Sequence, residues 1–226
     1  MHDEVNPMST SFHTSSGMNH HSQQRGASLI VVMLILIVVS VLGIGAAQIS
    51  MMGERSARND RDMQVAWQGA EAALMDAEFD IRGPNSSADS RVAIFGPDSS
   101  QPDRSKFDVT LCGDSFSDKT LGLCDLVDEA AGATIQQKWL RVDFTVDTSS
   151  AKTVKYGQYT NRPYAAGGTG VQPSKVPRYV IEPIRDYQGQ RDKSQAGTAK
   201  YMYRVTAMGF GPREDIQAVA QMILRP

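Results

Sequence analysis

From Ala27 to Ala47 the chain reads Ala-Ser-Leu-Ile-Val-Val-Met-Leu-Ile-Leu-Ile-Val-Val-Ser-Val-Leu-Gly-Ile-Gly-Ala-Ala, 21 residues without a charge, and the next charged residue is Glu54. As a helix rising about 1.5 Å per residue, this run spans roughly 31 Å, close to one hydrocarbon core. It is longer than the apolar region of an ordinary secretory signal. Residues 1–24 are rich in Ser, His, Asn and Gln and lack an apolar period, so they read as a disordered leader. A secretory signal cut after Ala47 is one reading, since Gly45 and Ala47 are small residues at suitable offsets. A plain membrane anchor is a second. Flanking charge does not orient the segment: Arg25 lies on one side, and Arg55, Arg58 and Arg61 lie among acids on the other.

A third reading comes from the residues on the C-terminal side of the apolar run. Glu54–Arg82 contains good helix formers and no proline. Met63, Trp67, Ala70, Leu74, Ala77 and Ile81 recur at alternating steps of four and three, one apolar stripe down a helix face, with Asp, Glu and Arg on the others. Gly83-Pro84 then supplies a stop. One helix is therefore expected over 27–82, roughly 80 Å if unbroken, apolar all round in its first half and amphipathic in its second. Gly43, Gly45 and Gly53 are the points where it would bend or unwind. The first half needs lipid or other helices, and the second needs a domain to lie on.

Beyond Pro84 the texture changes to turns and short alternating runs. Strands are expected at Val92–Phe95, Phe107–Leu111, Leu140–Val146, Tyr179–Glu182, Tyr201–Met208 and Ile216–Leu224, the last two joined through Gly209–Asp215. An antiparallel sheet packed on the amphipathic half-helix would bury both apolar stripes, an α+β arrangement. The Gly-rich Ala165–Pro173 lacks the flanks of a phosphate loop and reads as a surface loop, as does Gln188–Thr198. Asp114, Ser115, Ser117 and Asp118 offer oxygens but not a calcium-loop pattern, and read as a solvated polar turn. The acids and arginines of the long helix likewise read as a solvated face.

The cysteines, Cys112 and Cys124, come after a membrane-directing segment at short spacing, which suits a disulfide in an oxidising compartment. Such a loop contributes roughly 3 kcal/mol in the chain-entropy model. Two unpaired thiols are the alternative, and zinc would need a second ligand pair. All four histidines (His2, His13, His20, His21) precede Gly26. If that leader is removed, no imidazole remains for a catalytic triad or a His-ligated metal. A formal charge of −2 offers no electrostatic footprint for nucleic acid.

Arg25-Gly26 before the apolar run resembles the cleavage site of type IV prepilins. Gly53-Glu-Arg-Ser-Ala-Arg-Asn-Asp-Arg-Asp and Ala66-Trp-Gln-Gly-Ala-Glu-Ala-Ala-Leu-Met-Asp-Ala-Glu78 resemble the N-terminal region of PilX minor pilins, with weaker likeness at Arg178–Glu182 and Tyr203–Gly211. The resemblance implies a leader, 1–26, cut by a prepilin peptidase after Gly26, with Ala27 then N-methylated. It implies a membrane and filament-core half-helix, 27–53, and a periplasmic pilin-like domain, 54–226, that includes the amphipathic half-helix 54–82. Major pilins carry a glutamate at the fifth mature position; here it is Val31. That departure is similar to PilX-like minor pilins and to the tip pseudopilin of type II secretion. The expected role is a structural, non-enzymatic subunit, without cofactor or metal, at the tip or in the initiation of a type IV pilus. Implied partners are the prepilin peptidase, other minor pilins, the major pilin, a tip adhesin and the inner membrane, but no nucleic acid. The subunit would reside in the inner membrane as a single-pass protein and in the surface pilus. Alternatives are a minor pseudopilin of a type II secretion system or a membrane-anchored periplasmic binding module.

Overall fold

The computed structural model describes residues 27–108, 110–125, 137–168, 170–186 and 200–226. The leader and Gly26, the Gln188–Thr198 loop and the four histidines lie outside them. The chain divides at Gly53 into two units.

In the first unit, the helix α1 (Ala27–Arg82) begins at Ala27 and passes through Gly43, Gly45 and Gly53 as continuous α-helix. A Cβ added at any of these glycines would meet nothing. The described side chains of this unit are exposed almost without exception.

In the second unit, α1 runs to Arg82 and stops at Gly83, whose φ of +74° is accessible to glycine and whose N–H returns to the Phe79 carbonyl at 3.0 Å. Four strands succeed it: β1 (Val154–Lys155), β2 (Arg178–Arg185), β3 (Tyr201–Phe210) and β4 (Gln217–Leu224). They form one antiparallel sheet in the order β1-β2-β3-β4. The three strands expected near the C-terminus lie within β2, β3 and β4, apart from Ile216, which precedes β4. The two C-terminal stretches that carry the family likeness are cross-strand neighbours, with Glu182 opposite Arg204 and Tyr179 opposite Ala207. Glu182 is buried and accepts from Arg204 Nε at 2.7 Å.

One sheet face holds Tyr179, Ile181, Tyr203, Val205, Ala207 and Leu224 against Ala73, Ala77 and Ile81 of α1. The other packs Val180 and Met208 against Val142, Phe144 and the cysteines. Helix and sheet approach closely because small residues meet. At Gly209 on β3 an added Cβ would penetrate the backbone at Ala66 O and Ala70 N, and one added at Gly69 would lie 3.4 Å from Gly209 Cα.

That closeness corrects the expected helix face. Ala70, Ala77 and Ile81 are fully buried and Leu74 is half-buried, but Met63 is 42% exposed and Trp67 49%. The inward positions are instead Ala66, Gly69, Ala70, Ala73, Asp76, Ala77, Asp80 and Ile81. A tryptophan or methionine at the close approach would hold the helix off the sheet, and Met63 and Trp67 turn outward.

Three expected strands are absent as strands. Val92–Phe95 is a 3₁₀ turn that inserts Phe95 into the core. Within Phe107–Leu111 the described residues make only an isolated bridge, from Asp108 to Cys124. Lys138–Arg141 is another 3₁₀ turn. After it, Asp143 captures the backbone N–H and hydroxyl of Thr145 at 2.8 and 2.6 Å, closing a local turn where a ladder would have continued. Val142 and Phe144 are buried, whereas Leu140 is exposed.

Candidate functional site

The surface of residues 27–53 is the first functional element. A window of this helix has a mean hydropathy of 3.1 and none of it is buried. Val31 is exposed, and there is no acid in the first helical turn. Ser40, the one hydroxyl in mid-run, donates back to the Leu36 carbonyl at 2.6 Å, so its polar group is satisfied within the helix. A water-exposed apolar surface of this extent is strongly unfavourable, and lipid or other apolar helices remove it.

The outer face of 54–82 is the second element. Trp67 donates Nε1–H to Glu71 Oε1 at 2.8 Å and lines a groove of about 360 Å³ together with Met63, Gln64, Gln68 and Glu71. An exposed tryptophan and methionine with an amide and carboxylate rim is the composition of an interaction surface.

The inner face carries a polar clamp at positions where the sequence pattern predicts solvent. Asp76 and Asp80, expected on a solvated face, are fully buried. Asp80 accepts from Arg91 Nε at 3.0 and 2.9 Å, from Arg91 Nη2 at 2.6 Å and from the Tyr179 hydroxyl at 2.9 Å. Arg91 Nη1 donates to the Leu121 carbonyl at 2.6 Å, and the guanidinium lies 4.0 Å from the centre of the Tyr159 ring. The clamp therefore ties the end of α1 to β2, to the segment after the helix and to the cysteine loop. Burial alone would lower the Arg91 pKa; the charge and hydrogen bonds of Asp80 reverse this and raise it. Burial pushes Tyr159 up to about 12 and Tyr179 well above the ordinary phenol value. Asp76 accepts from Gly157 N–H at 2.8 Å and from the Thr160 hydroxyl, yet desolvation still raises its pKa. The available signal was the i, i+4 spacing of Asp76 and Asp80 on the same side as Ala73 and Ala77.

Cys112 and Cys124 form a disulfide, and both are fully buried. The far end of the loop is sewn to β2 by Cys124 N–H to the Ile181 carbonyl and Ile181 N–H to the Gly122 carbonyl, at 3.0 and 2.9 Å. Within it, the Ser115 hydroxyl donates to Asp118 at 2.8 Å, and Asp114 pairs with Lys152. Among the described residues no cluster of three or more His, Cys, Asp and Glu is placed to hold a metal.

A long helix with an unburied apolar half, leading into a domain closed by an antiparallel sheet and a disulfide loop, is a pilin arrangement. Two family models match the sequence: PilX N-terminal over residues 25–74, and the type IV pilus assembly protein PilX C-terminal family over residues 108–226. The chain belongs to the PilX family. Membership makes it a type IV pilus minor pilin, a structural subunit that interacts with other pilus components and with the membrane, to which the apolar helix suits it. No curated protein and no solved structure matches the chain.

Proposed function

We propose that this PilX-family subunit acts in the initiation or at the tip of type IV pilus assembly. In this reading a prepilin peptidase cuts after Gly26 and Ala27 is methylated. Residues 27–53 then rest in the inner membrane with the domain 54–226 in the periplasm. On assembly the apolar half leaves lipid for a bundle of neighbouring pilin helices, and the outward Met63 and Trp67 join the packing. Other minor pilins, the major pilin and a tip adhesin are the partners of this state, at the cell surface.

The observation that carries the reading is Val31. A glutamate in an apolar core is stable only when a partner charge meets it, such as the terminal amine of the adjoining subunit. With valine there and no acid elsewhere in the first turn, the subunit has no such charge to offer, which favours a terminal position over a repeating one.

Labelled subunit in sheared pili is the direct test. One label at an end is expected, and labels spaced along the shaft would refute the terminal role. Mass spectrometry of the mature N-terminus is expected to find methylated Ala27; a chain beginning at Gln48 or Met1 would sink the processing scheme.

A further inference from the structure

A cleft of about 790 Å³ opens between the turn held by the cysteine loop, the turn at 147–151 and β1. At its edge Phe116 is 42% exposed. This ring is not loose: it stacks on Tyr159 with centroids 5.3 Å apart and planes at 23°. Tyr159 rests in turn against Arg91, which Asp80 fixes. A solvent-facing aromatic ring is thus braced by a column that reaches the buried clamp.

The charges lining the cleft are already matched. Arg178 is almost wholly buried and donates to Thr153 Oγ1, to the Thr153 carbonyl and to Asp147 Oδ1, at 2.5, 3.0 and 2.9 Å. Lys155 also pairs with Asp147, and Lys152 pairs with Asp114. A charged ligand would find no uncompensated charge among them to repay its own desolvation. A neutral ligand needs none. Asp114 and Asp147 remain about half exposed, and each carboxylate has more lone pairs than its partners use. Gln158 accepts from Lys155 N–H through Oε1, which turns its amide NH₂ to other partners. The Ser117 and Thr148 hydroxyls add groups that both donate and accept.

We propose that this cleft binds a neutral saccharide of one or two pyranose units. Phe116 is the platform for the C–H face of the ring, and Asp114, Asp147 and Gln158 hydrogen-bond its hydroxyls. Adjacent sugar hydroxyls act as donor and acceptor together, which is what an alternation of carboxylate, amide and hydroxyl reads. The volume lies within the range of small-molecule sites. The inference stands apart from the assembly role, since neither the helix surfaces nor Val31 contributes to the cleft.

The test is saturation-transfer NMR on the full chain, held in a detergent without a sugar headgroup, with lactose, maltose, cellobiose and diacetylchitobiose as probes and sialyllactose as the acidic comparison. At least one neutral probe is expected to receive saturation on its ring C–H protons. Phe116→Ala should weaken that binding by about tenfold or more, and Phe116→Trp, which keeps a platform, should retain it. Unchanged melting temperatures would show that both variants fold. No transfer to any neutral probe, binding of sialyllactose alone, or full affinity in Phe116→Ala would each overturn the proposal.

Discussion

Replacing Asp80 by alanine tests whether the domain is held to its helix by the buried clamp. The substitution removes the counter-charge of Arg91, a side chain with no exposed surface, and the acceptor for Tyr179. Removing one partner of a buried ion pair costs about 3–5 kcal/mol, because the remaining charge stays desolvated. A domain of this class has only about 5–15 kcal/mol in total, so much of its stability would go. At about 2–4 °C per kcal/mol, the melting temperature should fall by roughly 6–20 °C. The assay is thermal unfolding of the full chain in detergent micelles, monitored by near-ultraviolet circular dichroism, which reports the buried tyrosines. The double variant Asp80→Leu/Arg91→Met removes both charges and should recover part of the loss, giving a coupling of about 2 kcal/mol or more. A single variant that melts within about 2 °C of the parent, or a double variant as unstable as the sum of the single ones, would refute the reasoning.

The close helix–sheet contact predicts that Gly209→Ala is severe, since the new Cβ meets the backbone at Ala66 and Ala70 and no rotamer relieves it. A loss of about 1–3 kcal/mol or more is expected in urea titration. Trp67→Ala should leave domain stability within about 0.5 kcal/mol in the same titration, although a large aromatic side chain is removed, because it faces outward. If Trp67 serves packing between subunits, the same variant is depleted from sheared pili relative to cells, as read by immunoblot. Asp108 and Asp143 have pKa values below the ordinary 3.8, first because of the Thr110 and Thr145 hydroxyls. Their stabilisation is therefore complete above that value and lost as pH falls through the lower folded pKa. Melting temperature measured down to about pH 2.5 should decline, and the decline should be shallower in Asp108→Asn/Asp143→Asn. Asp76 acts in the opposite sense: its raised folded pKa makes this one group favour folding as pH falls, and Asp76→Asn should remove that contribution.

The sequence alone determined whatever depends on neighbours along the chain. Twenty-one uncharged residues demand an apolar surrounding wherever the rest of the chain goes, and helix formers bounded by Gly83-Pro84 determine where α1 stops. β3 and β4 were likewise legible as strands, and along β4 the burial alternates, with Ala218, Ala220 and Leu224 turned inward. What needed the tertiary structure was the side of the helix that faces the sheet. Alanine, glycine and two aspartates form a stripe as periodic as the one through Met63 and Trp67, and a count of apolar residues prefers the larger ones. Only the approach of Gly209 makes small size decisive, and only Arg91 and Tyr179, brought from elsewhere in the chain, make Asp80 a buried residue. Leu140–Val146 shows the same limit: it alternates like a strand, but the side chain of Asp143 closes a turn, and among the described residues no neighbouring strand competes for its backbone.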